Sequence, residues 1–379
     1  MNRPRILVDH HIPWGIEGFD GLGDVVPYDA ADLRKDSSIL AEADVLACRS
    51  VTRVDAALLA AAPRLLAVAT PVVGLDHVIC EDIRAAQRQR GHPIQVFNAP
   101  GSTAAGVADW VVAAILHALP DVTDAHPLKV GIWGFGNCGR ALAARLARLG
   151  TRFVAYDPPQ ETRTAGAFRS AALDELWQCD VVSLHVPLTE ARDTRWPTRG
   201  MIDRAVFRAL AAGDVHLLCN SSRGAVIEGA ALREHLASGR APVLAVDVWE
   251  GEPTPDPSVV AATRIATAHV AGSVLEGRRK AVAKVREDVR RLLHLPRTPF
   301  PAAPAGGFDR PPPFTVLPRP RPGDIRDGIL AAVPLDEWTR TFRAAYVPAP
   351  LAERAEAFEA ARRAGLRREI RWGRLRPAD

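Results

Sequence analysis

The segment KVGIWGFGNCGRALAARLARLGTRFVAYD, residues 129–157, has the pattern of a β-strand, a glycine-rich turn, an amphipathic helix and a second strand. Gly134, Gly136 and Gly139 give the turn a G-x-G-x-x-G spacing. In a βαβ unit the first glycine permits a tight turn, the second lets the backbone approach a pyrophosphate, and the third allows close helix–strand packing. The helix would offer free N–H groups and its positive dipole end to the phosphates. The segment therefore predicts a dinucleotide-binding unit.

An acidic residue, Asp157, ends the second strand of this unit. A carboxylate at this position can accept hydrogen bonds from both ribose hydroxyls of a dinucleotide. Its negative charge would repel a 2′-phosphate. We therefore expect NAD, rather than NADP, as the cofactor.

Apolar runs alternate with helical patterns over most of the chain, which predicts an α/β fold with two doubly wound parallel sheets. The first domain would span residues 1–101, and the NAD-binding domain residues 102–272. A helix at about 273–295, with apolar residues at helical spacing, would return to the first domain. Ten prolines fall within residues 296–322, so residues 296–323 are expected to form a linker, with a small C-terminal domain at 324–379.

Composition and charge indicate which kinds of site, location and binding partner to expect. The five cysteines are scattered without a C-x-x-C pair, which favours a reducing compartment and predicts neither a disulfide framework nor a metal site. The N-terminus has no signal-peptide pattern and the longest apolar run is too short to span a bilayer, so we expect a cytoplasmic protein without a membrane partner. The net charge is +4, and its excess lies in the arginine-rich residues 296–379. These arginines alternate with acids, which favours a solvated or interface surface over nucleic-acid binding.

Three polar residues follow predicted strands of the second sheet. Arg223 occurs in NSSRGAVIEG, Glu252 in DVWEGEP and His269 in ATAHVAG. Strand ends of a doubly wound sheet converge on the cofactor crevice, so these residues can meet there. Oxidation of a 2-hydroxy acid requires a base for the hydroxyl proton and a cation for the carboxylate. His269 suits the first role, with Glu252 orienting its ring, and Arg223 suits the second.

Each of these three residues also has a structural interpretation. Arg223 could be a surface ion-pair partner, Glu252 the cap of a turn, and His269 a core histidine. The dehydrogenase interpretation depends on all three meeting beside the cofactor.

The segments GFGNCGR, YDPP, RGAV, DVWEGEP and HVAG resemble the D-isomer-specific 2-hydroxyacid dehydrogenases. The resemblance implies a flavodoxin-like substrate domain, a Rossmann NAD domain, a C-terminal α+β dimerisation domain and a homodimer. It also implies Arg223, Glu252 and His269 as the catalytic residues. The implied cofactor contacts are Gly134, Gly136, Asn137, Cys138, Gly139, Asp157, Val186, Ser221, Ser222, Arg223, Asp247 and Gly272.

Further segments (RILVDHHIP, RSVTRVDAALL, GLDHV and HVAGSVLEGR) resemble a branch of the family whose substrate is a small phosphorylated hydroxy acid. The substrate residues implied are Ser50, Thr70, Val72 and Ser273. The chain departs from the family pattern at two of them, since Val72 replaces a hydroxyl-bearing residue and Ser273 a tyrosine. These departures keep open the alternative of a dehydrogenase of another D-2-hydroxy acid. A second alternative, an NAD-sensing, corepressor-like binding protein, is kept open by the wider family and by the arginine-rich tail, which could be a partner surface.

The two departures remove hydrogen bonds that a phosphate ester would use. Arg49 and Arg53 flank Ser50 and could supply the charge for a phosphate instead. Both arginines could equally be solvated residues at the start of a helix.

Overall fold

The computed structural model describes residues 3–119, 128–301, 315–316 and 322–372. The described chain divides into two compact α/β units. The first is formed from residues 1–103 and 275–310, and the second from residues 104–274 and 311–379.

The first unit contains a five-stranded parallel sheet in the order β2-β1-β3-β4-β5. Its strands are β1 (Arg5–Asp9), β2 (Asp24–Tyr28), β3 (Val45–Ala47), β4 (Ala67–Ala69) and β5 (Gln95–Phe97). The helices between them are α1 (Gly15–Phe19), α2 (Ala30–Lys35), α3 (Ala56–Ala61) and α4 (Cys80–Arg90). This strand order is that of flavodoxin-like folds, and the strand order reverses around β1.

The second unit contains a six-stranded parallel sheet in the order β11-β10-β9-β8-β6-β7. Its strands are β6 (Lys129–Trp133), β7 (Arg152–Tyr156), β8 (Val181–Leu184), β9 (Leu217–Asn220), β10 (Val243–Val246) and β11 (Ile265–Ala266). Its helices up to β11 are α5 (Ala104–Ala118), α6 (Asn137–Arg148), α7 (Pro158–Arg163), α8 (Arg204–Ala212), α9 (Gly229–Ser238) and α10 (Pro257–Ala262). Strands β8 and β9 are buried along their whole length, as parallel strands covered on both faces are. The predicted fold of two doubly wound parallel sheets is confirmed.

Helix α11 (Leu275–Leu292) belongs to the first unit although it follows the second unit in sequence. Val282, Val285 and Val289 are at most 1% exposed and pack with Ile6 and Val8 of β1. The first unit is therefore built from two separate stretches of chain. None of the described helices combines the length and apolarity needed to cross a membrane.

The described C-terminal residues pack on the second unit. They form α12 (Pro322–Ala332), α13 (Leu335–Tyr346) and α14 (Leu351–Ala364), with β12 (Thr315–Val316) paired to β13 (Arg371–Trp372). Phe342, Tyr346 and Phe358 are at most 1% exposed and share a core with Trp249. This shared aromatic core joins the segment predicted as a separate domain to the second unit. Most of the predicted linker, residues 296–323, lies outside the described residues.

Candidate active site

The glycine-rich turn after β6 has the geometry of a dinucleotide loop. Gly134 has a left-handed φ of +99°, and a Cβ there would overlap the carbonyl group of His185. A Cβ on Gly139 would overlap the carbonyl oxygen of Gly134. At Gly136, in contrast, an added Cβ would meet no atom within 4 Å. The first and third glycines therefore serve the packing of the loop, and the second leaves space above it.

Asp157 links the second strand to this loop. Its Oδ2 accepts a hydrogen bond from the N–H of Phe135 at 2.7 Å, and its Oδ1 accepts one from Gln160 at 2.8 Å. The second bond caps the start of α7. Each carboxylate oxygen has a further lone pair with which it can accept a ribose hydroxyl.

Among the other predicted cofactor residues of this unit, one has a buried hydroxyl without a hydrogen-bond partner. The Ser221 hydroxyl is buried and has no hydrogen-bond partner among the described residues, whereas the Ser222 hydroxyl donates to Asn220 Oδ1 at 2.8 Å. Asn137 is exposed as the first residue of α6, and Val186 is half-buried just after β8. A buried hydroxyl, the space above Gly136 and the N-terminus of α6 together fit a bound dinucleotide.

Arg223 follows β9 and lies close to the glycine-rich turn. Its Nη1 donates to the Ser222 carbonyl oxygen at 2.8 Å, and its own carbonyl oxygen accepts from Asn220 Nδ2 at 3.0 Å. Burial raises the pKa of the Cys138 thiol to about 11, while the charge of Arg223 acts in the opposite direction. The guanidinium is therefore near enough to the glycine-rich turn for its charge to affect the Cys138 thiol.

Gly224 explains how the arginine loop approaches the loop that carries Glu252. A Cβ on Gly224 would overlap the backbone of Trp249 and the nitrogen of Glu250. Only glycine allows the two backbones to come this close. The sequence pattern R-G after β9 thus brings two of the three predicted catalytic residues onto adjoining loops.

Glu252 and His269 are in direct contact. Glu252 Oε2 lies 2.7 Å from His269 Nδ1, and Glu252 Oε1 accepts the N–H of Trp249 at 2.6 Å. The two side chains are 24% and 35% exposed, so a substrate can reach the histidine. The Trp249 indole N–H donates to the Thr267 carbonyl oxygen at 2.8 Å and so fixes the glutamate loop to the histidine loop. This contact of Trp249 was not predicted from the sequence, and only the position of the residue within DVWEGEP could have drawn attention to it.

The protonation state of Glu252 follows from these contacts. Burial raises the pKa of this carboxyl, but the charge of His269, its hydrogen bond and the Trp249 N–H together outweigh burial and hold the pKa below its ordinary value. Glu252 is therefore ionised at neutral pH and can stabilise a positive charge on the imidazole.

Asp247 holds the backbone around His269. Its Oδ1 accepts the Thr267 hydroxyl at 2.6 Å and the Val270 N–H at 2.7 Å, and its Oδ2 accepts the Ala271 N–H at 2.9 Å. His269 itself has a left-handed φ of +56°. Asp247 is only 1% exposed, and its carboxylate, predicted as a cofactor contact, is occupied by hydrogen bonds to the loop that carries His269.

Arg367, which the sequence did not single out, reaches the same loop from the C-terminal segment. Its guanidinium donates to the carbonyl oxygens of Val270 (2.9 Å), Ala271 (2.9 Å) and Gly106 (2.7 Å). Its backbone N–H donates to the Ser273 carbonyl oxygen at 3.0 Å. Burial lowers the pKa of Arg367 to about 10, so the residue remains charged at neutral pH.

Two further predicted site residues lie on the loop that carries His269. Gly272 is half-buried, and Ser273 is 8% exposed.

The other predicted substrate residues belong to the first unit. Ser50 is exposed after β3, and Val72 is half-buried after β4. Thr70 is fully buried, and its hydroxyl lies 3.1 Å from His77 Nε2. The Thr70 hydroxyl is therefore already hydrogen-bonded within the protein.

The two arginines beside Ser50 differ in their surroundings. Arg49 Nε pairs with Oδ2 of the buried Asp9 at 2.9 Å. Arg53 is 68% exposed and lies 3.7 Å from Asp55. Arg53 is therefore more accessible than Arg49 to an anion in solution.

Comparison with known proteins agrees with this geometry. Residues 108–271 match the model of the D-isomer specific 2-hydroxyacid dehydrogenase family, NAD binding domain. The erythronate-4-phosphate dehydrogenase of Aeromonas hydrophila is 38% identical over 303 residues, which is 78% of this chain and 76% of that protein. The enzyme of the same name from Chromohalobacter salexigens is 37% identical over 295 residues, 77% of this chain and 73% of that protein.

The chain belongs to the D-isomer-specific 2-hydroxyacid dehydrogenase family. It is an oxidoreductase that uses NAD. A crystal structure of a 2-hydroxyacid dehydrogenase from Ketogulonicigenium vulgare Y25 superposes with a TM-score of 0.60 at 25% identity, covering 78% of this chain and 97% of that one. The predicted family, enzyme class and cofactor are confirmed.

Proposed function

We propose that this dehydrogenase oxidises 4-phospho-D-erythronate to 2-oxo-3-hydroxy-4-phosphobutanoate, a step of pyridoxine 5′-phosphate (vitamin B6) biosynthesis. The names of relatives that are 37–38% identical over about three quarters of the chain support this substrate. The chemistry itself is supported by one observation above all, the 2.7 Å contact of Glu252 with His269 beside the cofactor loop.

His269 acts as the general base in this proposal. Its Nδ1 faces Glu252, which leaves Nε2 as the ring nitrogen that takes the proton of the substrate hydroxyl. The proton moves from the C2 hydroxyl to Nε2, the C2–H bond breaks with its electron pair leaving as hydride, and the C2 carbonyl forms. Glu252 stabilises the resulting imidazolium, and Asp247 keeps the ring in place through the backbone.

Arg223 binds the substrate carboxylate and polarises the developing carbonyl. A guanidinium presents a planar pair of donors that matches a carboxylate, which a lysine could not do. The approach of the Gly224 backbone to Trp249 supports this role because it keeps Arg223 on the loop adjoining Glu252.

When bound, NAD supplies the acceptor for the hydride that leaves C2. The residues that would hold it are the loop glycines, the N-terminus of α6, Asp157 and Ser221. Asp157 would select NAD over NADP by repelling a 2′-phosphate. Ser50, Thr70 and Val72, which follow strands of the first unit, remain the proposed substrate residues of that unit.

The test is a parallel measurement of NADH formation with 4-phosphoerythronate, 3-phosphoglycerate, D-lactate and D-glycerate. In a second set an added 2-oxo acid acceptor reoxidises any tightly bound NADH, and the oxidised product of each substrate is measured in place of NADH. A clear preference in kcat/KM for 4-phosphoerythronate supports the proposal. Preference for another acid would contradict the substrate and leave the catalytic residues untouched.

Val72 and Ser273 favour a second candidate, a dehydrogenase of another D-2-hydroxy acid. Val72 has no hydroxyl group, and Ser273 is only 8% exposed. Compared with the family pattern, a phosphate ester would lose the hydroxyl at position 72 and would meet a shorter, buried hydroxyl at position 273. The same substrate panel separates the two candidates.

We also propose that the protein is a cytoplasmic homodimer in which residues 324–379 contribute to the contact between subunits. Leu351 on α14 supports an interface because it is 71% exposed, more than any other large apolar side chain among the described residues. The free thiols of all five cysteines suit a reducing compartment. Sedimentation analysis of wild type and Leu351→Glu tests the dimer, which the variant should weaken. A wild-type monomer would contradict it.

A further inference from the structure

Three metal-binding side chains meet at the carboxyl edge of the first sheet. Strands β1 and β2 run parallel, with Asp9 opposite Tyr28. The residues that follow them, His10 and His11 on one strand and Asp29 on the other, therefore lie side by side. The cluster lies beyond the ends of β1 and β2, one strand away from the point between β1 and β3 where the strand order reverses.

The donor atoms have the spacing of ligands that share an ion. One atom each of His10, His11 and Asp29 lies within 4.8 Å of the other two. His10 Nε2 and His11 Nδ1 are each 3.6 Å from Asp29 Oδ2. Two ligands of a tetrahedral zinc ion, each at about 2.0–2.1 Å, are about 3.4 Å apart. An ion would thus require only small movements of the side chains.

Neighbouring groups already orient these donors. Asp29 Oδ1 accepts the Ala31 N–H at 2.7 Å, which turns Oδ2 towards the two histidines. His10 Nδ1 lies 3.0 Å from the Tyr28 carbonyl oxygen. A carbonyl oxygen can only accept, so Nδ1 carries the hydrogen and Nε2 presents its lone pair to Asp29. A backbone carbonyl on the second ring nitrogen is the usual support of a metal-bound histidine.

His11 is supported by the buried Asp9. Asp9 Oδ1 accepts the His11 backbone N–H at 2.9 Å and lies 3.5 Å from His11 Nδ1. The other oxygen of Asp9 is held by Arg49. The loop that carries His11 is therefore fixed by a charged group that is fully buried.

The three side chains are close together without hydrogen-bonding to one another. The His10 and His11 rings have centroids only 3.9 Å apart. At 3.6 Å neither of their ring nitrogens hydrogen-bonds to Asp29 Oδ2. A shared divalent cation satisfies all three groups.

We propose that His10, His11 and Asp29 bind a divalent transition-metal ion, with zinc as the best match to two imidazoles and one carboxylate. Imidazole nitrogens prefer zinc, copper and nickel over magnesium or calcium. His10 and His11 have half-exposed side chains, so water fills the remaining coordination position. The proposal rests on the first unit alone and is independent of the reaction proposed above.

Zinc titration of the full-length, metal-free protein tests the site. Isothermal titration calorimetry should find one zinc ion per chain, and cobalt should give the intense visible absorption of a four-coordinate ion. His10→Gln, His11→Gln and Asp29→Asn should each weaken zinc binding at least ~10-fold. The amide of the Asp29→Asn variant keeps an oxygen for the Ala31 N–H, so helix α2 retains its cap.

Two controls distinguish this site from other zinc ligands. His216→Gln removes an exposed histidine of the second unit, and Cys80→Ser removes an exposed thiol. Both should bind zinc as the wild type does, and thermal melting checks that every variant is folded. The proposal is overturned if the wild type binds no zinc, or if folded His11→Gln and Asp29→Asn variants bind it as tightly as the wild type.

Discussion

Replacing Glu252 with glutamine tests how the catalytic pair is organised. The carboxylate uses both oxygens, one to accept the Trp249 N–H at 2.6 Å and one to meet His269 Nδ1 at 2.7 Å. Glutamine has one acceptor oxygen and one NH₂ group at the same positions. The variant must therefore either reverse the direction of the hydrogen bond to His269 or lose the hydrogen bond from Trp249.

The contact with Trp249 decides which orientation the amide takes. If the amide oxygen accepts the Trp249 N–H, its NH₂ faces His269 and forces Nδ1 to act as an acceptor, with the ring hydrogen on Nε2. His269 then cannot take the substrate proton at Nε2. The reverse orientation sets NH₂ against the Trp249 N–H and leaves that donor without a partner, at a cost of about 1–3 kcal/mol.

The expected decrease in kcat combines this cost of reaching the active tautomer with the loss of the negative charge of Glu252. A penalty of about 1–3 kcal/mol corresponds to about 5- to 150-fold in the fraction of the active tautomer. The missing negative charge also destabilises the imidazolium formed in the reaction. An Asp→Asn change at the corresponding position of a serine protease triad lowers kcat by about 10⁴-fold. We therefore expect Glu252→Gln to lower kcat by about 10²- to 10⁴-fold.

The assay is NADH formation at saturating NAD, together with NAD binding measured by calorimetry. NAD affinity should change little because Glu252 does not lie on the glycine-rich turn. Glu250→Gln is the matched control, since Glu250 is exposed two residues away and should keep full activity. A folded Glu252→Gln enzyme with kcat within about threefold of the wild type would refute the reasoning.

Other predictions follow from the packing of the same unit. Gly224→Ala should lower both melting temperature and activity because its methyl group would overlap the Trp249 backbone, and an unaltered melting curve would show that the two loops can separate. Gly136→Ala meets no atom within 4 Å, so it should melt like the wild type while NAD binding weakens about tenfold in calorimetry. Arg367→Met should cost at least ~3 kcal/mol in urea unfolding, because three buried carbonyl oxygens lose a charged donor. The lowered pKa of Glu252 contributes stability above the unfolded-state value of about 4.3, and this contribution is lost as the pH falls through the folded-state value. The difference in unfolding free energy between wild type and Glu252→Gln should therefore shrink as the pH falls below about 4.3.

The sequence could predict those features that depend on local spacing and on sheet topology. The glycine-rich turn, with Asp157 at the end of the next strand, is set within one βαβ unit. Arg223, Glu252 and His269 follow β9, β10 and β11, and parallel neighbouring strands end at the same edge. The contact between Glu252 and His269 was therefore accessible from the order of strands alone.

Features that depend on register or on distant packing could not be predicted. His10 and Asp29 show no ligand spacing in sequence, and only the pairing of Asp9 with Tyr28 brings them together. Arg367 lies 97 residues from Val270, in a segment whose helical pattern gives no sign of a buried arginine. The family resemblance assigns Thr70 to substrate, yet its hydroxyl is buried against His77.

Asp247, predicted as a cofactor contact, instead supports the loop that carries His269. His269 adopts a left-handed φ of +56°, which costs a residue other than glycine about 1–3 kcal/mol. The Asp247 carboxylate offsets this cost with bonds to Thr267, Val270 and Ala271, each at 2.6–2.9 Å and each made to a charged acceptor. The His269 N–H also donates to the Asp247 carbonyl oxygen at 2.7 Å. The position of the His269 imidazole is thus set by a buried acid at the end of the preceding strand. A residue's place in the sequence does not by itself show whether it contacts the cofactor or supports the loop of His269.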